Sequence, residues 1–184
     1  MRLSPLAPVL AGCLLLSSPT LAQTAATAKT PASCLTQAEF TGMVTYALPS
    51  VIEGASRRCA QALPATAYLP SKGAALATRY TAQKNASWPE ARKALFKISG
   101  SRGDATVNML RQLPDESLKP IADVMVEGLV AQEIPLEDCA TVNRFAELLA
   151  PLPAENTAGL ITLLAAMGAK GDKKGPAGVT ICKA

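Results

Sequence analysis

Histidine is absent from all 184 residues. That rules out a Ser-His-Asp triad, a Cys-His pair and any histidine-ligated metal. Aromatic residues are scarce, with one Trp, three Tyr and three Phe. The basic stretches lack the interleaved rings on which nucleic-acid bases stack. Nucleic acid is not an expected partner. No C-x-x-C, S-x-x-K, G-x-S-x-G or phosphate-loop pattern occurs. A long apolar run is also missing beyond residue 16. The best stretch, residues 160–167, lies between Gly159 and Gly168 and is too short to cross a bilayer, which takes about 20 residues. These absences favour a non-enzymatic protein without a cofactor or metal. A carboxylate pair is the one acid–base option left. Glu133, Glu137 and Asp138 cluster around Pro135, but acidic residues at a helix start ordinarily serve the helix dipole.

What is present begins with an export signal. Arg2 supplies a positive start, residues 6–16 form a short apolar stretch, and Thr20 and Ala22 put small side chains before Gln23. This predicts a signal peptide over residues 1–22, cleaved after Ala22. A rival lies in Leu10-Ala11-Gly12-Cys13, which is lipobox-like and would anchor the protein as a lipoprotein through Cys13. The short, proline-interrupted stretch before Cys13 and the apolar residues after it favour the cleaved form. Residues 23–33 are small and polar, a flexible leader. The remaining 34–184 reads as a single domain.

Without Cys13, four cysteines remain: Cys34, Cys59, Cys139 and Cys182. An even number in an exported chain indicates two disulfides, and their wide spacing fits no zinc motif.

The apolar spacing is helical almost throughout. Thr36 and Glu39 form a capping box ahead of Phe40, Met43, Val44, Ala47 and Leu48. Ser50 and Glu53 repeat that pattern just after Pro49. An interior proline costs about 3 kcal/mol, so the fresh cap favours a helical hairpin broken at Pro49. One helix kinked there is the alternative, because the apolar phase continues across it. The hairpin brings Cys34 near Cys59 and leaves Cys139 for Cys182. A continuous helix would separate Cys34 and Cys59 by about 37 Å, so that Cys59 must join Cys139 or Cys182.

Ser71 opens a weak helix through Ala74, Leu76 and Tyr80. Ser87 and Glu90 form a third capping box, with Trp88, Ala91, Leu95 and Ile98 on the inner face and Gly100 at the end. Asp104 caps a short helix ending at Pro114. Residues 120–132 carry Ile121, Val124, Met125 and Leu129 at helical spacing, and residues 136–149 carry Val142, Phe145, Ala146 and Leu149. Residues 153–167 are the most apolar and are expected to be the central helix. A Lys/Gly loop over 168–178 leads to a C-terminal tail pinned by Cys182. The expected fold is all-α, an irregular bundle of about seven short helices stapled by two disulfides.

Charge is segregated. Residues 57–111 hold ten basic and two acidic residues, a net of +8; residues 115–155 hold nine acidic and two basic, a net of −7. Either the two stretches pack together with charges paired at their rims, or the basic one faces an anionic partner such as a lipid surface or another envelope protein. Arg92, Lys93 and Lys97, beside Trp88, are the candidate residues for that face. Trp88 alone reads as a core anchor. Arg102-Gly103-Asp104 reads as a turn and cap rather than an adhesion loop, and Ser87 of the Asn85-Ala86-Ser87 sequon as a cap.

The order CLTQAEF, then ALPSVI, then Cys59 ahead of Ala62-Leu63-Pro64 resembles small exported helical proteins of alphaproteobacteria to which no function is assigned. It covers the first third of the mature chain. The resemblance implies a periplasmic address and brings no activity or site residue.

Overall fold

The computed structural model describes residues 34–100, 105–168 and 180–182. The signal peptide, the leader, Cys13, the Arg102-Gly103-Asp104 turn, the Asp104 cap and most of the Lys/Gly loop lie outside the described residues. Seven α-helices appear among those described: α1 Gln37–Cys59, α2 Tyr68–Thr81, α3 Lys84–Gly100, α4 Ala105–Gln112, α5 Asp115–Glu133, α6 Cys139–Leu149 and α7 Ala154–Gly168. A 3-10 turn, Leu136–Asp138, leads into α6. Two short strands, β1 Cys34–Leu35 and β2 Thr180–Ile181, pair in parallel. The fold is all-α, as the periodicity implies.

The central helix is α1, not α7. It begins at the expected capping box: Glu39 N–H donates to Thr36 Oγ1 at 3.1 Å, and Thr36 N–H donates to Glu39 Oε2 at 2.8 Å. It then runs unbroken through Pro49 to Cys59. The hairpin expectation is thereby overturned. Ser50 is buried and Glu53 exposed within the same helix, so the second capping box does not form. The physical reason is tertiary. Helices α2, α3, α5 and α7 all pack on α1, burying Leu48, Pro49, Ile52 and Ala55. Continuous burial of a 23-residue helix outweighs one lost hydrogen bond of about 3 kcal/mol.

The disulfides follow the helix. Cys34 bonds Cys182, and Cys59 bonds Cys139; the pairing Cys34–Cys59 with Cys139–Cys182, which the hairpin required, is wrong. Cys34–Cys182 ties β1 to β2, and Cys182 N–H donates to Leu35 O at 2.8 Å. The tail is therefore pinned by its cysteine, as expected.

Two helix starts also differ from the local signals. Helix α2 opens at Tyr68, before Ser71, and its own N-cap, Ala67, supplies no side-chain bond. The cap comes from another helix: Asn143 Oδ1 on α6 accepts from Leu69 N–H at 2.8 Å. Helix α3 opens at Lys84, one turn before Ser87. Ser87 is no cap, because its hydroxyl donates to Lys84 O at 3.0 Å.

Three apolar clusters surround α1. The largest joins Leu48, Ile52 and Cys59 to Leu69, Leu76 and Tyr80 of α2, Cys139 of α6 and Ala158 of α7. Tyr80 is fully buried, yet its hydroxyl is satisfied by Leu149 O, Leu152 O and Thr157 Oγ1 at 3.0–3.2 Å. One phenol thus holds the turn between α6 and α7. The second cluster centres on Trp88 and Tyr46, with ring centroids 4.8 Å apart, packed with Phe96 and Leu118. The third joins Leu35, Phe40 and Ala94.

Candidate functional site

The charge-segregated stretches meet inside the domain. Arg57 pairs with Glu127, Lys84 with Asp123 at 2.7 Å, and Arg92 with Asp115 at 3.2 Å. Two further arginines close helix ends in the acidic stretch: Arg58 Nε donates to Ile134 O at 2.9 Å, and Arg79 donates to Ala150 O. These carbonyls sit at the C-caps of α5 and α6, where a cation complements the helix dipole. Much of the basic stretch is therefore spent holding the acidic one.

The candidate residues Arg92, Lys93 and Lys97 come together on α3, along one cleft of about 830 Å³ that is also lined by Glu39, Trp88, Phe96, Arg111 and Asp115. The cleft is electrostatically mixed. Lys97 Nζ lies 2.7 Å from Glu39 Oε2, and Lys93 Nζ lies 2.6 Å from Glu90. Burial alone would raise the Glu39 carboxyl, but the Lys97 ammonium and the Thr36 amide hold it below its ordinary value. The hydrogen bond from Lys93 to Glu90 raises the Lys93 ammonium. Trp88 is 4% exposed and serves the core, so it gives the basic side chains no interfacial aromatic. Arg92 and Arg111 both stand over the Phe96 ring, at 5.0 and 4.7 Å. Arg111 also donates to Phe96 O at 3.0 Å and makes no ion pair among the described residues.

The carboxylates Glu133, Glu137 and Asp138 are exposed. No group of three potential metal ligands occurs among the described residues, and no described helix is long and apolar enough to cross a membrane. Tyr46 is pushed well above its ordinary range by burial and by the neighbouring Asp123. It serves the core and donates to Lys119 O at 3.2 Å.

A second surface stands out through what is left uncovered. The large apolar side chains that remain exposed among the described residues all lie between positions 109 and 167, with none on α1, α2 or α3. On α5 they are Ile121, Val124, Met125 and Leu129; on α6, Phe145 and Leu148; on α7, Leu160, Leu163, Leu164 and Met167. Val124 is 69% exposed, Leu148 59% and Met167 58%. The α5 and α7 sets follow the i, i+3, i+4 spacing of a single helix face. Both helices turn a smaller face inward: Leu118 and Ala122 of α5, Ala154 and Ala158 of α7. The stripes most visible in the sequence are thus outer faces. Apolar spacing alone does not say whether a stripe meets the core or another molecule.

No protein-family model, curated protein or solved structure matches the chain.

Proposed function

We propose that this is an exported, non-enzymatic protein that works by holding a partner on the outer faces of α5, α6 and α7. The observation that carries this reading is the confinement of the large exposed apolar side chains to residues 109–167. Export is supported by the signal-like residues 1–22 and by two disulfides that staple the domain. The resemblance to small exported helical proteins favours the periplasm. A binding role accords with a chain that offers no histidine and no nucleophile motif, and whose four domain cysteines are oxidised.

The test is isolation from periplasmic and envelope fractions under non-reducing conditions, with the wild type beside Leu163→Gln/Leu164→Gln. The expected result is an N-terminus at Gln23 and a co-purifying protein that the variant loses. Partners unchanged by the variant would refute the surface. A lipidated Cys13 would replace the soluble form with an anchored one.

The cleft between α3 and α4 supports a second reading, an anionic partner, on one observation: Arg111 lacks a carboxylate partner among the described residues. Salt-sensitive binding of anionic vesicles that is lost in Arg111→Ala would favour it.

A further inference from the structure

We infer that the partner held on α5, α6 and α7 is a basic amphipathic helix, an apolar stripe flanked by Lys or Arg. This rests on the reading of these faces as a binding surface and adds the chemistry of the occupant. Two features argue for it. The first is extent. Eight apolar side chains on α5 and α7 stand 38–69% exposed, and exposed apolar faces of this extent mark interaction sites. Their i, i+3, i+4 spacing suits a helix laid along them.

The second is charge. Within residues 115–155 both cations are engaged: Lys119 with Asn85 and the Trp88 ring, Arg144 with Glu147. Five carboxylates, Glu116, Glu133, Glu137, Asp138 and Glu155, make no ion pair among the described residues and are exposed. Three of them adjoin exposed apolar side chains: Glu133 follows Leu129 by one helical turn, and Glu137 and Asp138 follow the exposed Leu136. An anionic lipid surface would meet these carboxylates with like charge. So would a second copy packed face to face. A cationic helix would meet them with opposite charge.

The probes are two synthetic helices of about 18 residues, one of Leu and Lys and one of Leu and Glu with the same apolar face. Phosphatidylglycerol vesicles and the protein alone in light scattering complete the set. The purified, oxidised protein is expected to bind the Leu/Lys helix at least about tenfold more tightly than the Leu/Glu helix, with the preference shrinking in high salt. Leu129→Gln/Leu163→Gln/Leu164→Gln should weaken binding of the Leu/Lys helix by about tenfold or more with helical circular dichroism unchanged. Glu133→Gln/Glu137→Gln/Asp138→Asn should weaken it and, by removing like charge, strengthen binding of the Leu/Glu helix. Equal binding of both helices overturns the inference and leaves the surface reading standing, as does binding of neither helix while the co-purifying protein persists. A concentration-dependent dimer abolished by the leucine substitutions, or vesicle binding abolished by them, assigns the faces to another occupant and also overturns it.

Discussion

Cys59, the last residue of α1, is bonded to Cys139, the first residue of α6, with their Cα atoms 5.4 Å apart. The bond is compatible with an unbroken α1 and incompatible with Cys59 pairing to Cys34. Non-reducing peptide mapping should recover Cys34 with Cys182 and Cys59 with Cys139. Replacing Cys59 and Cys139 with Ser should cost about 2–5 kcal/mol in a denaturant titration, with helical content retained.

Pro49 lies within α1 and is buried. Pro49→Ala restores a helical N–H and removes a ring. The restored bond and propensity are worth about 3 kcal/mol, and the lost packing takes back part of that. A net gain of about 1–2 kcal/mol is expected, read as a higher thermal midpoint. At a hairpin turn the same substitution would give no gain.

Helix α5 approaches α1 closely at Gly54. A Cβ there would stand 2.7 Å from the carbonyl oxygen of Glu127. Gly54→Ala should therefore destabilise by about 1–3 kcal/mol through overpacking. Gly128 on α5 has nothing within 4 Å of an added Cβ, so Gly128→Ala should stabilise by up to about 1 kcal/mol through helix propensity. Urea midpoints that shift in opposite directions would establish the contrast.

Glu39 joins the first capping box to Lys97 on α3. Its folded carboxyl lies below the ordinary 4.5, so the fold favours the charged form. That contribution is present above the unfolded value and lost as pH falls through the folded one. Glu39→Gln should be less stable than wild type at neutral pH, with the gap closing in acid. A gap that does not vary with pH would contradict the ion pair.

Much of the helical layout is legible in the chain itself. The Thr36–Glu39 cap, the stop near Pro114 and the helical period of residues 136–149 all correspond to elements in place. Failures occur where distant contacts override local chemistry. Ser50 and Glu53 look like a cap because a cap is a four-residue pattern, whereas the burial that carries α1 through Pro49 comes from helices as distant in sequence as α7. Ser71 misleads for the same reason, since α2 is capped by Asn143 from α6. The exposed apolar faces are the least legible feature. Leu160, Leu163, Leu164 and Met167 have the spacing of a core stripe, and only the packing of Ala154 and Ala158 on α1 and α2 shows that α7 turns them outward. Arg92, Lys93 and Lys97 do share one cleft, but their carboxylate partners sit on α1, α3 and α5, a pairing that linear charge counts cannot reveal.

The openness of α5 and α7 can be read directly from their methionines. Met125 and Met167 are 50% and 58% exposed, while Met43 is partly buried against the Phe40 cluster. Dilute peroxide followed by peptide mass spectrometry measures each oxidation rate in the folded protein. Met125 and Met167 should oxidise much faster than Met43 in the protein alone, and should be protected when the Leu/Lys helix is bound. Rates at Met125 and Met167 as slow as at Met43 in the free protein would mean that these faces are already covered, and would contradict a surface held open for a partner.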